Sequence, residues 1–348
     1  MPAVRSIRAI VAAIAVVGFV LVPVTLRAAW VERKQPLAHA LFVPKGYEAS
    51  KKYPLVIVIH GNGWQGNNNS VYKGEFYAQH LAKPKIQDAT PHFIYVPQCP
   101  GGQTWVGSPW DKGAYSVDKV RLSDSMTKMT TVLAGLLKEY SIDQDRLYVI
   151  GISMGGQATW DLVCRNPKMF AAAVPVCGCG DPSKAKLLGS MGIWAFHGSD
   201  DPTVPVKSDR GTMAELEKAD IKVLRLNDAD PTETPKAKHV YSEYKMGHNV
   251  WDKACGLQRF VVPWLFAQSL AANEKKADDA AKIDDVTLKQ WSAPYRGWHY
   301  WPEPVVPEKP HVPGLDKFQN TDCPCVFQHY CSCGNKGRCI GLITSKNL

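Results

Sequence analysis

The stretch "DRLYVIGISMGGQATW" (residues 145–160) restricts the possible folds of this 348-residue chain more than any other segment. An apolar, β-branched run ends in Gly151-x-Ser153-x-Gly155 and passes at once into a segment of helical character. A serine at that point sits on a sharp strand-to-helix turn, with its hydroxyl pushed out above a sheet. Glycine is needed on either side because a side chain would collide where the backbone folds back on itself. At a usual glycine content of ~7% the pattern also arises by chance. Ser153 therefore gains meaning only if a base and an orienting acid stand in the right places.

The surrounding chain supplies the sheet. "YPLVIVIHG" (53–61) is a continuous apolar run of the kind buried on both faces, and "HFIYVPQCP" (92–100) is another. "AHALFVPKGY" (38–47) reads as an edge strand running into a turn, and "FAAAVPVCG", "MGIWAFHGSD" and "HVYSEYKMGH" give further strands. Residues 120–140 carry Met126, Met129, Val132, Leu133, Leu136 and Leu137 at helical spacing; 155–165 and 251–270 also read as helices. No internal repeat is present. Strands alternating with helices predict an α/β fold, a mostly parallel sheet covered on both faces.

In such a fold the nucleophile comes first, then the acid, then the histidine, each on a loop at the carboxyl end of a strand. His239 begins an apparent strand and reads as structural, while His299, His311 and His329 lie beyond the body. His248, in "KMGHNVWD", follows a strand and precedes the last helix, with Gly247 giving the loop room to turn, and is the expected base. "FHGSDDPTVP" ends a strand with Asp200 and Asp201 side by side. Adjacent residues point in different directions, so one of the two should reach the imidazole and the other serve the turn; spacing alone does not choose between them. An oxyanion would need the Met154 N–H, just after the nucleophile, and a second donor from "HGNGWQGNNN", namely Asn62 or Gly63. No metal or organic cofactor is called for.

Taken together, "YPLVIVIHGNG", "YVPQCPGGQTWV", "IGISMGGQATWDL", "AAVPVCGCGDP", "WAFHGSDDPTVPV" and "GHNVWDKA" resemble the α/β-hydrolase fold. More narrowly they resemble secreted carboxylesterases of the predicted-peptidase, prolyl-oligopeptidase-like group, related to feruloyl and acetyl-xylan esterases. The likeness covers roughly residues 38–268. It implies a serine esterase with Ser153 and His248 in catalysis. The pattern His-Gly-x-x-Asp-x-x-Val-Pro, counted from His197, implies Asp201 as the acid, with Val204 and Pro205 completing it. Dienelactone hydrolases on the same fold carry cysteine at the elbow, whereas this chain carries serine. The first Gly-rich loop departs from the family: it is the neutral "NGWQGNNN", where relatives often place a charge. Trp64, Trp105 and Trp110 fall in or near the loops at the expected rim, where they could stack on a sugar or aromatic acyl group. Core packing is the alternative for each.

The ends of the chain differ from the body. "MPAVRSIR" carries two arginines and no acid, and Ala9 to Leu26 is uncharged and apolar. Residues 1–29 read as a signal peptide or N-terminal membrane anchor, which implies export and an oxidising compartment where some of the ten cysteines pair. The hydrolase body is expected over 30–271, a charged linker over 272–290, and a Trp/Pro-rich then Cys-rich tail over 291–348. The start of that tail resembles the opening of β-propeller glycosidase-type modules, cut short. Its cysteines, at 323, 325, 331, 333 and 339, have one-residue gaps and make a poor zinc signature. A net charge of +9 is scattered among acids and forms no basic stripe, which argues against nucleic-acid binding.

The expected activity is therefore hydrolysis of small or polysaccharide-borne carboxylic esters, the substrates being acetyl or feruloyl esters of plant polysaccharides by family analogy. The alternatives are a peptidase of the same fold and a non-catalytic carbohydrate-binding surface protein. Complete serine, acid and histidine positions weigh against the second.

Overall fold

The structure, a computed structural model, describes residues 28–273. Its sheet is organised around Tyr53–Ile59 (β3), which is buried along its whole length. A run of Leu55, Val56, Ile57, Val58 and Ile59 has apolar side chains on both faces, so it is stable only between two layers. The other strands are β1 (Ala29–Arg33), β2 (His39–Val43), β4 (Phe93–Pro97), β5 (Ile142–Ile152), β6 (Ala172–Val176), β7 (Gly192–Gly198), β8 (Val223–Asn227) and β9 (His239–Tyr244). They form one sheet in the order β1-β2-β4-β3-β5-β6-β7-β9-β8. The β1–β2 and β2–β4 pairings are antiparallel and all others parallel.

The helices are α1 (Val71–Gly74), α2 (Phe76–Leu81), α3 (Pro84–Ala89), α4 (Asp124–Glu139), α5 (Met154–Arg165), α6 (Lys207–Lys218), α7 (Trp251–Gly256), α8 (Gln258–Phe266) and α9 (Leu270–Asn273). Alternation along the strands sends side chains to opposite faces. Leu55, Ile57 and Val149 join the core beneath α4, α5 and α6, with Met126, Leu162 and Met213. Val56, Val58 and Ile150 join the core beneath α2 and α8, with Tyr77, Val261 and Trp264. Each such side chain contributes about 1.5–3 kcal/mol on burial.

Several expectations change. "AHALFVPKGY" is not the edge, because β1 pairs with β2 along its outer side. The true far edge is β8, a short strand (VLRLN) with no buried residue, whose apolar side chains are half-buried or exposed. The helix expected over 120–140 begins at Asp124, where the Ser123 hydroxyl accepts from Met126 N and caps it. The span 251–270 is broken at Leu257 into separate helices. The body cysteines Cys99, Cys164, Cys177, Cys179 and Cys255 are all free, so the pairing expected in an oxidising compartment is not found among the described residues. The apolar segment 9–26, the linker beyond Asn273 and the Cys-rich tail lie outside the described residues, in which no helix is long and apolar enough to cross a membrane.

Candidate active site

Ser153 lies between β5 and α5 with φ 56° and ψ −117°, a left-handed backbone that an L-residue adopts only where its surroundings enforce it. Its N–H donates to the Val176 carbonyl at 2.8 Å, which ties the turn to β6. The flanking glycines are fixed by space. A Cβ on Gly151 would lie 2.2 Å from the Gly155 carbonyl oxygen, and one on Gly155 would lie 2.1 Å from that of Ile59. The hydroxyl is thereby raised at the carboxyl edge of the sheet, at the N-terminus of a twelve-residue helix. That end carries unpaired N–H groups and partial positive charge.

The loops after β7 and β9 deliver the other two groups. Ser153 Oγ donates to His248 Nε2 at 2.7 Å, and His248 Nδ1 donates to Asp201 Oδ2 at 2.7 Å. Of the adjacent carboxylates the structure thus brings in Asp201, while Asp200 is exposed and takes a bond from its neighbour Ser199. Asp201 is held from both sides. Its Oδ1 accepts from Thr203 N at 2.8 Å and Val204 N at 2.9 Å, and its Oδ2 also faces His197 Nε2 at 3.3 Å. Burial alone would raise its pKa, but the bonds from His197 and His248 outweigh burial and hold the carboxyl well below the usual carboxylate range. Such a row can withdraw a proton from the hydroxyl, keep the imidazole in one tautomer and steady the imidazolium that forms.

Gly61, Asn62, Trp110, Ile152, Thr203 and Trp251 join Ser153 and His248 in lining a shallow depression open to solvent. Asn62 lines this depression beside the nucleophile. Gly63 does not serve the hole: its N–H donates to Gln65 Oε1 at 2.7 Å. Gln65 Nε2 in turn donates to Asn62 Oδ1 at 2.5 Å and approaches Met154 Sδ at 3.8 Å, joining the loop to the elbow. The loop is anchored from below by His60, whose Nδ1 donates to the Gly61 carbonyl at 2.7 Å and whose Nε2 accepts from Cys99 N at 2.9 Å. Burial pushes the His60 imidazole down to about 4, so it stays neutral.

The tryptophan expectations divide. Trp105 is fully buried, with its indole N–H on the His60 carbonyl at 3.2 Å, and no ligand can stack on it. Trp64 packs over Gly74 of α1 and lies outside the depression. Trp110 does line it. So does Trp251, which sequence reasoning missed; its ring meets the His248 ring edge to face at 5.2 Å. A signal for Trp251 existed in its place three residues after the expected base, one helical turn along.

The sheet order, the elbow and the aligned serine, histidine and aspartate define an α/β-hydrolase. The model of the family described as Esterase matches residues 32–302, most of the chain and past the boundary expected at 271, and the chain belongs to that family. It is 23% identical over 171 residues to "Probable feruloyl esterase C" of Aspergillus terreus, covering 48% of this chain and 56% of that protein. It is 26% identical over 172 residues to the protein of the same name from Aspergillus flavus, with the same coverage. The chain thus spans about half the length of the curated relatives it matches. Among solved structures, a thermostable esterase superposes with a TM-score of 0.57 at 32% identity, over 70% of this chain and 63% of the other. A ferulic acid esterase shares the fold, with a TM-score of 0.51 at 14% identity over 70% and 99% of the two chains.

Proposed function

We propose that the protein is an exported serine esterase that cleaves acyl esters of plant polysaccharides, feruloyl or acetyl, through an acyl-enzyme. The observation that carries this reading is the unbroken row from Ser153 Oγ to His248 to Asp201, with both bonds at 2.7 Å. Ser153 Oγ attacks the ester carbonyl carbon as His248 Nε2 takes its proton, while Asp201 steadies the imidazolium. The N–H groups of Met154 and Asn62 hold the oxyanion. Collapse of the tetrahedral intermediate breaks the bond to the alcohol, which leaves with the proton from His248. A water, deprotonated by the same imidazole, then attacks the acyl carbonyl and returns Ser153 to its free form.

An aromatic acyl group is supported by the half-buried indoles of Trp110 and Trp251 flanking the nucleophile, and by the names of the Aspergillus relatives. Export rests on the basic, then apolar, N-terminal residues 1–26. Turnover of 4-nitrophenyl acetate, methyl ferulate and acetylated xylan by the full chain tests the reading. Ser153→Ala should lower kcat by at least ~10⁴, and an unimpaired variant would overturn the assignment.

A further inference from the structure

Behind Asp201 lies a second histidine–carboxylate pair that the reaction does not use directly. His197, in β7, is fully buried. Its Nδ1 is 2.8 Å from Asp209 Oδ2, and its Nε2 is 2.9 Å from the Val204 carbonyl and 3.3 Å from Asp201 Oδ2. Asp209, in α6, is also fully buried, and its other oxygen accepts from the indole N–H of Trp160 in α5 at 2.8 Å. The other titratable or charged groups facing the pair are Glu243 and Tyr241 on β9, Cys177 and Cys179 beyond β6, and Arg210, which is engaged with Glu243 at 2.6 and 2.9 Å.

Proton counting restricts the pair. A neutral imidazole offers one donor and one acceptor. A carbonyl cannot donate, so Nε2 must donate to Val204. Nδ1 then either accepts from a protonated Asp209 or donates to an ionised one. Asp201 carries negative charge on the far side of the ring, and Trp160 already satisfies the first oxygen of Asp209. Each ring nitrogen thus faces a carboxylate oxygen, Asp209 at 2.8 Å and Asp201 at 3.3 Å, and a doubly protonated ring donates towards both without a proton on Asp209. Burial opposes that charge and also pushes the Asp209 carboxyl up, but at the ring the two carboxylates outweigh burial and raise the imidazole to about 10.

We propose that His197 is an imidazolium clamped between Asp209 and Asp201, and that this buried pair positions Asp201 for His248, making the working row five groups long: Asp209, His197, Asp201, His248 and Ser153. The inference rests on the esterase reading for its consequence, though not for its protonation state. Without the clamp, Asp201 is held only through Oδ1, by the Thr203 and Val204 N–H groups, and its Oδ2 loses the second cation that fixes it against His248 Nδ1. Without the positive charge, the carboxylate exerts a stronger field on His248.

Long-range proton–nitrogen NMR of the full chain labelled with 15N-histidine, from pH 5 to 9, reads the first part without any turnover. One imidazole should keep both ring nitrogens protonated at pH 8. That signal should vanish in His197→Gln and become a neutral tautomer in the isosteric Asp209→Asn. A wild-type spectrum with no doubly protonated ring at pH 8 overturns the proposal, even if both variants fail to fold. The second part is read on 4-nitrophenyl acetate. Folded Asp209→Asn should lose roughly 10- to 100-fold in kcat with KM within about twofold, and the acidic midpoint of kcat/KM should rise by ~0.5–1 pH unit. An unchanged kcat and midpoint would overturn the positioning role. Full activity of Ser153→Ala would instead sink the esterase reading and leave the NMR result standing.

Discussion

Gln65 holds Asn62 from the side, its Nε2 on Asn62 Oδ1 at 2.5 Å while its Oε1 takes the N–H of Gly63. One side chain thus ties together the loop proposed to hold the oxyanion. Gln65→Ala should lower kcat about 10-fold with little change in KM, less than the ~10²–10³ lost when an oxyanion donor is removed outright. Steady-state kinetics on 4-nitrophenyl acetate checks this, and a change confined to KM would contradict it.

The two neighbouring carboxylates should separate cleanly. Asp201→Asn presents an amide to His248 Nδ1, favours the wrong tautomer and should reduce kcat by ~10⁴. Asp200→Asn, at an exposed position, should stay within about twofold of the parent. Parallel kinetics on the two purified variants decides the matter.

Acid should unfold this protein through its buried neutral histidines. Burial pushes His60, His92 and His239 each down to about 4. Because these folded values lie below the unfolded value of ~6.5, their stabilising contribution is complete above pH ~6.5 and is lost as pH falls towards 4. Unfolding near pH 5 should take up close to three protons from this source, a slope of up to about 3–4 kcal/mol per pH unit. Urea titrations between pH 4.5 and 7.5 measure it, and a flat midpoint over that range would refute it.

Removing an indole wall should discriminate between substrates. Trp110→Ala is expected to raise KM for methyl ferulate by about 2- to 10-fold, the worth of one aromatic contact, and to change acetyl ester hydrolysis less. Equal effects on both esters would detach Trp110 from acyl recognition.

Much of this site is legible in the sequence because its principal groups sit where patterned strands end. Ser153 follows β5, Asp201 follows β7 and His248 follows β9; apolar runs mark the first two strands, and β9 (HVYSEY) is more mixed. The choice between Asp200 and Asp201 was not in the spacing; it came from the family pattern, and the geometry agrees with it. Gly63 and Trp105 were misjudged for one reason: a position near a rim says nothing of where a side chain or N–H points. Gln65 and Trp251 escaped notice because their roles arise from contacts within and between loops, which leave no periodic trace. The edges of the sheet are less legible in the sequence. β1 follows closely on the apolar run 9–26, and β8 lacks the buried alternation that betrays a strand.

The left-handed backbone at Ser153 has a consequence beyond reactivity. A twist that costs about 1–3 kcal/mol for a residue bearing a side chain costs glycine almost nothing, although glycine loses ~0.5–1 kcal/mol through a freer unfolded chain. Ser153→Gly should therefore yield an inert protein that melts no lower than its parent, and comparison of the two melting curves reads the tension directly: the proposed nucleophile sits where the main chain would most readily relax.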